Sequence, residues 1–303
     1  MNKVLERNLP KLPKKVIFCK KCVLSNQRTR ITFKDGICSA CHHHDNKPKV
    51  NWEDRTQQLH KLLDKYRSKK GEWDVLVPGS GGKDSGFVAH ILKYKFGMNP
   101  LCITFAPFRY TQIGLENFEN FVKAGFNVFN FFPNGDLYRK LSNVALRELG
   151  DNFTPFVFGQ MSYSYHVAKK FNIGLMFYGE ISDEEYGGDT SESKNYYSLN
   201  HTDKIYWKGS NVYELFEFAI KNYPKLIKKE DYKKSDFEYF FPPDDKDLNV
   251  RTEFMSTYFD WKPQENYYYS VKNTNFQPNP DRSEGTYSRY SSLDDKLDWL
   301  HYY

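Results

Sequence analysis

An apolar run that breaks into glycines and reopens on a helical face narrows the folds open to this chain more than any other feature. Trp73-Asp74-Val75-Leu76-Val77 reads as a buried strand and Gly79-Ser80-Gly81-Gly82-Lys83-Asp84-Ser85 as a loop. Phe87, Val88, Ile91 and Leu92 then share one face of a helix that stops at Gly97. Strand, glycine loop and helix in that order form the opening unit of a parallel sheet, whose ligands meet the carboxyl ends of the strands. Glycines let the backbone come close to an anion, and the loop amides and the positive end of the helix face it. Lys83 adds a point charge, Ser80 and Ser85 offer hydroxyls, and Asp84 can hold Mg²⁺ against phosphates.

The alternation continues downstream. Strands are predicted at 101–105, 128–132 and 173–178, and helices at 112–124 (stopped by Gly125), 136–149 and 156–170. An α/β fold follows, with a parallel sheet covered on both faces. A helix at 52–69, with Leu59, Leu62, Leu63 and Tyr66 on one face, opens this domain after a polar linker at 45–51. Beyond about Gly188 the alternation is expected to end, leaving helices at 213–229 and 294–301 among aromatic loops. Three regions result: 1–50, 51–190, and 191–303, the last packing onto the sheet and shaping an acceptor site.

Four of the five cysteines form two Cys-x-x-Cys pairs, Cys19/Cys22 and Cys38/Cys41, fifteen residues apart. In a reducing compartment that spacing reads as a tetrahedral Zn²⁺ site in a zinc ribbon. Residues 30–33 read as its strand and Asp35-Gly36 as the turn that returns the second pair, with His42, His43 and His44 outside the site. The formal charge of +6 comes from lysines scattered beside acids, so a solvated surface is expected rather than a nucleic-acid partner. No run of eighteen apolar residues and no apolar leader occurs, so a cytoplasmic protein without membrane insertion is expected.

The loop is neither a Walker A motif nor a Gly-x-Gly-x-x-Gly fingerprint. Ser80-Gly81-Gly82-Lys83-Asp84-Ser85 instead resembles the PP-loop of ATP pyrophosphatases such as GMP synthetases, asparagine synthetases and tRNA-thiolating enzymes. That group clamps the pyrophosphate of ATP while the α-phosphorus is attacked. The wider pattern resembles the N-acetyl sugar amidotransferases of bacterial surface-glycan (LPS O-antigen) and flagellin-glycan synthesis. It is carried by Cys19-Lys20-Lys21-Cys22-Val23-Leu24-Ser25, Asp35-Gly36-Ile37-Cys38-Ser39-Ala40-Cys41, the PP-loop, Gly179-Glu180, Glu185-Tyr186-Gly187-Gly188, Glu284-Gly285-Thr286-Tyr287 and Tyr290-Ser291-Ser292-Leu293-Asp294-Asp295-Lys296-Leu297-Asp298. The family pattern continues past the position of Tyr303 with a glycine- and arginine-containing segment, so relative to it this chain is shortened.

The resemblance implies ATP, Mg²⁺ and Zn²⁺ as cofactors. It implies an ATP site of Ser80, Gly81, Gly82, Lys83, Asp84, Ser85, Gly179 and Glu180, with Lys83 and Asp84 catalytic and Asp84 on Mg²⁺. Glu180, at a strand end, faces either acceptor or metal, or is a plain loop carboxylate. The implied acceptor is an acetamido sugar, either a nucleotide-linked 2,3-diacetamido uronic acid or a nonulosonic acid. Its amide oxygen is a poor leaving group until adenylylation gives an O-adenylyl imidate, which ammonia then converts to an acetamidino group. Glutamine hydrolysis in the common amidotransferase domains needs a reactive cysteine. This chain starts Met1-Asn2-Lys3, its zinc cysteines are committed, and Cys102 lies in an apolar strand. Ammonia is therefore expected from a separate glutaminase with a channel-forming subunit like those of histidine biosynthesis. Two other readings stand beside this one. A tRNA-thiolating enzyme is disfavoured because Cys102 alone remains to carry sulfur, and a non-catalytic zinc-ribbon nucleotide- or RNA-binding module is disfavoured by the intact Lys83-Asp84 pair.

Overall fold

Apolar runs buried on both faces form the centre of a five-stranded sheet in which every neighbouring pair of strands is parallel. The computed structural model describes residues 13–27, 31–46, 49–180, 212–243, 249–283, 288–298 and 300. Its N-terminal part pairs β1 (Phe33–Lys34) with β2 (Ile37–Cys38) and continues into α1 (Ser39–Asp45). Then follow α2 (Trp52–Tyr66), β3 (Val75–Pro78), α3 (Lys83–His90), β4 (Pro100–Phe105), α4 (Gln112–Lys123), β5 (Asn127–Phe131), α5 (Gly135–Leu149), α6 (Thr154–Phe171) and β6 (Leu175–Tyr178). The later part supplies α7 (Val212–Asn222), β7 (Arg251–Phe254) and α8 (Pro263–Thr274).

The five-stranded sheet has the order β5-β4-β3-β6-β7. Leu76, Leu101, Ile103, Phe105 and Met176 face α5, α6 and α7, whereas Val75, Val77, Cys102, Leu175 and Phe177 face α2, α3 and α4. Such pleat alternation divides one hydrophobic sheet between two helical layers. After β3 the chain moves outward to β4 and β5, then returns to the other side of β3 for β6. The carboxyl ends of β3 and β6 therefore border the crevice where connections diverge, the favoured ligand position in an open parallel sheet.

The α/β class and the parallel sheet agree with expectation, and so do the strands near 101–105, 128–132 and 173–178. Four elements do not. The alternation does not end near Gly188, because β7 adds a fifth parallel strand beside β6, and its Glu253 is buried in accepting Arg251 Nε and, at 2.8 Å, Tyr258 OH. The helix expected at 213–229 ends at Asn222, just before Pro224. Of the segment expected as a helix at 294–301, the described residues 294–297 are not helical: Asp294 lies in a bend, Asp295 makes an isolated bridge with Tyr110, residues 296–297 form a turn, and Thr111 N donates to Asp294 O at 3.0 Å. In the N-terminal module the strand is Phe33–Lys34 rather than 30–33, while Asp35 and Gly36 adopt positive φ and turn as expected. Among the described residues, no helix is long and apolar enough to cross a membrane.

Helix α6 lies tight against the sheet at Gly159, where a Cβ would overlap the Phe105 ring. Phe105 is itself edge-packed against Tyr138 and Phe240, so it has little freedom to retreat. Gly159→Ala is expected to lower unfolding stability by about 1–3 kcal/mol, since overpacking outweighs the helix propensity gained. Urea denaturation of both forms, with the midpoint shifted down at constant slope, checks this.

Candidate functional site

Backbone crowding fixes the loop after β3 before any side chain is considered. Gly79 N donates to Ile103 O at 2.8 Å, Thr104 Oγ1 donates to Gly79 O, and a Cβ on Gly79 would collide with Ser85. Gly81 sits at φ +90°, and a Cβ there would lie 2.8 Å from Asn117 O and 2.9 Å from the Cα of Phe118, both on α4. No other residue type satisfies both the left-handed backbone and that approach. Gly82 then caps α3 without a side-chain bond, leaving the first-turn amides of the helix without a side-chain acceptor at the N-cap.

The loop side chains divide into two groups. Ser80 Oγ donates to Asp294, and Ser85 Oγ donates to Gly82 O at 3.1 Å. Lys83 is largely buried and pairs with Asp84, and its Nζ lies 5.3 Å from the centroid of the Tyr290 ring. Tyr290 in turn stacks on Tyr267 at 4.8 Å and donates through its hydroxyl to Gln264 Oε1 at 3.0 Å. Ser270 Oγ, on α8, donates to Lys83 O at 2.6 Å. Asp84 Oδ1 is buried and has no hydrogen-bond partner among the described residues.

An orphaned carboxylate oxygen beside a lysine, at the mouth of an amide-rich loop, has the donor set for a hard divalent cation and a polyphosphate. Asp84 could hold Mg²⁺ there, with Lys83 and the amides meeting the anion's remaining charge. Gly179, just past β6, joins this place: a Cβ on it would lie 3.0 Å from the Trp261 ring and 3.4 Å from Asp84 Cβ. Glu180 follows, half-buried. Ser80, Gly81, Gly82, Lys83, Asp84, Ser85 and Gly179 are thus gathered at one crevice. Glu185–Gly188 and Glu284–Tyr287 of the resemblance lie outside the described residues.

Between the loop, the end of β4 and α6 lies a cavity of about 210 Å³. Ser80, Thr104, Gln160, Asp294, Asp295 and Asp298 supply much of its polar lining, and Phe105, Phe153, Phe156 and Tyr163 supply aromatic walls. Neither periodicity nor spacing assigns a role to Tyr290, Ser270 or Asp294, because their contacts with the loop join residues far apart in the chain.

The four expected zinc ligands also come together. Cys19, Cys22, Cys38 and Cys41 have all their Sγ atoms within 4.8 Å of one another, with Cys19 and Cys41 at 3.9 Å and Cys22 and Cys38 at 3.7 Å. A regular tetrahedron with Zn–S bonds of about 2.3 Å has sulfur–sulfur edges of about 3.8 Å. The spacing fits zinc and is far beyond a disulfide bond. Burial opposes ionisation of Cys19, but the amides of Cys38, Lys21 and Cys22 outweigh it and bring the thiol down to about 6. His42, on α1, instead meets Lys34 O at 3.3 Å through Nε2, in keeping with an all-cysteine cluster.

No family model matches the chain. An uncharacterized protein of Methanocaldococcus jannaschii is 29% identical over 107 residues, a match that spans 35% of this chain and 38% of that protein. Among solved structures, an NH3-dependent NAD synthetase from Campylobacter jejuni in complex with the nitrate ion aligns at TM-score 0.33 and 18% identity, covering 62% of this chain and 81% of that one. An NMN synthetase from Francisella tularensis aligns at TM-score 0.33 and 14% identity, covering 77% of this chain and 100% of that one.

A ribbon with so little apolar core depends on its metal for folding. Elemental analysis of the purified chain is expected to give one zinc per polypeptide. Cys38→Ser should lose that zinc and expose residues 13–46 to limited proteolysis, leaving the sheet domain resistant.

Proposed function

We propose that this protein is an ATP-dependent amidotransferase that forms AMP and pyrophosphate, activating an acetamido sugar by adenylylation and replacing the amide oxygen with ammonia. The carrying observation is the buried, unpartnered Asp84 Oδ1 beside Lys83, in a loop where Gly81 leaves no room for a side chain. ATP with Mg²⁺ supplies the missing charge for both groups, and Ser80, Gly82, Ser85, Gly179 and Glu180 complete the pocket mouth in this reading. Bound ATP supplies the electrophilic α-phosphorus; the chain supplies position and charge. Loop amides and Lys83 would meet the negative charge that develops on the leaving pyrophosphate, and Asp84 would hold a divalent cation that adds to that neutralisation. The acetamido sugar and the surface-glycan setting rest on the sequence resemblance alone.

Sulfur transfer is the less favoured chemistry. Cys102 is fully buried in β4, and burial pushes its thiol far above the ordinary range, which suits a structural residue rather than a sulfur carrier. The remaining four cysteines lie together in a cluster with the spacing of a metal site. No thiol is then left for glutamine hydrolysis, and ammonia comes from a partner glutaminase and channel subunit.

Lys83→Ala or Asp84→Ala should reduce acceptor-dependent pyrophosphate release by about a hundredfold or more, the usual scale for losing one transition-state charge partner, with an unchanged thermal midpoint. Pyrophosphate release assayed with acetamido sugars and with tRNA separates the readings, and wild-type turnover in either variant removes the loop from the chemistry.

The purified chain supplied with ATP, Mg²⁺ and an acetamido sugar should aminate with ammonium and leave glutamine intact. Glutamate appearing under those conditions would contradict the assignment of ammonia to a partner.

A further inference from the structure

The cavity beside the loop has a one-sided chemistry. Three carboxylates, Asp294, Asp295 and Asp298, line it, and no lysine, arginine or histidine does among the described residues. Its remaining wall is largely aromatic, and ring faces attract cations as carboxylates do. Two side chains offer polar groups that the protein does not use: Tyr163 is only 8% exposed, and neither its hydroxyl nor the Gln160 amide has a hydrogen-bond partner among the described residues. Carboxylates, ring faces, a phenol oxygen and an amide oxygen form an acceptor-rich lining suited to a small hydrogen-bond-donating cation and hostile to an anion.

The cavity also shares residues with the phosphate loop. Ser80 belongs to both, and its hydroxyl donates to Asp294, the carboxylate nearest the loop. Asp294 is held there by backbone contacts: Thr111 N donates to its carbonyl at 3.0 Å, and its Cα would stand 2.7 Å from a Cβ on Gly114. Asp295 is positioned in turn by the amides of Phe108 at 2.6 Å and Leu297 at 2.8 Å. The volume, about seven times that of a water molecule in the liquid, admits an ammonium ion with room for partial hydration.

We propose that this cavity is the ammonium site of the reaction, where Asp294, Asp295 and Asp298 capture the ion and Asp294 takes its proton. The assignment rests on the ammonia-using reading above and adds the place and the chemical form of the nitrogen donor. Ammonium gives one proton to the Asp294 carboxylate, leaving neutral ammonia and a carboxylic acid. The freed lone pair forms the new C–N bond on the imidate carbon, and the C–O bond to AMP breaks with its electron pair on the AMP oxygen. The product keeps the nitrogen's remaining protons as an acetamidinium group. Burial, followed by the neighbouring Asp298 and Asp295 charges, raises Asp294 to about 6 against the opposing Ser80 bond, making it a stronger base than an exposed carboxylate.

Thallium(I), a monovalent cation close to ammonium in size, is a direct probe. Crystals of the full chain soaked in thallium acetate should show an anomalous peak between Asp294 and Asp298 that is lost in Asp298→Asn. With an acetamido sugar that supports pyrophosphate release, Asp298→Asn should raise the ammonium KM about tenfold, and Asp294→Asn should lower kcat for amination more than it raises that KM. An empty cavity in the wild-type crystal overturns the proposal. A thallium peak with ammonium kinetics unchanged in both variants also overturns it, leaving a structural monovalent-cation site. Absence of pyrophosphate release with every acetamido sugar sinks the parent reading instead, and the thallium peak then decides the cation site by itself.

Discussion

Contact between backbones, with no side chain between them, is the constraint on which this structure turns. At Gly81 the loop after β3 lies against the backbone of α4 at a separation that excludes even a methyl group, and at Gly79 it is tied to the end of β4. The α4 end of that contact is itself braced by the segment around Asp294, which presses on Gly114. Ser270 on α8 fastens the carbonyl of Lys83 from the other side. A loop held at so many backbone points keeps its amides aimed without ligand, the preorganisation that electrostatic stabilisation of a charged transition state requires.

Features that depend on neighbouring residues in sequence were legible in advance. Unbroken apolar runs in β3, β4 and β6 and the 3.6-residue periodicity of α2 to α6 carry their structure locally, and the glycine stops at Gly97 and Gly125 both have positive φ. The four-cysteine cluster was legible for a different reason: sulfur spacing within each pair is set by the turn and not by the rest of the fold. By contrast β7, Arg-Thr-Glu-Phe, reads as polar. Its Glu253 is tolerated in the interior only because Arg251 and Tyr258 satisfy it, and that pairing is invisible without the strand. The tyrosines of α8 sit at three consecutive positions, 267–269, which hides the face it packs against α3.

The site shows the same division. The glycine loop after β3 announces itself because its glycines, lysine and aspartate are contiguous. Its surroundings do not, since Tyr290 under Lys83, Ser270 on the Lys83 carbonyl and Asp294 on Ser80 arrive from the last part of the chain. The segment expected as a helix at 294–301 instead passes through a bend, a bridge to Tyr110 and a turn over residues 294–297. Strong anchoring by the backbone of Phe108, Arg109 and Thr111 overrides a weak local preference.

The position of β7 in the sheet also has a consequence for how the chain is made. β6 pairs with β3 on one side and with β7 on the other, and some seventy residues separate the end of β6 from the start of β7. During synthesis from the N-terminus, β3 to β6 can assemble while one edge of β6 remains uncovered. That edge is apolar, Leu175-Met176-Phe177-Tyr178, with backbone groups open to any extended strand. Until residues 251–254 leave the ribosome, the nascent sheet is an aggregation template, and closure by a distant parallel strand is the slow kind of pairing. Translation speed across the seventy residues between these strands thus bears on yield as well as on timing.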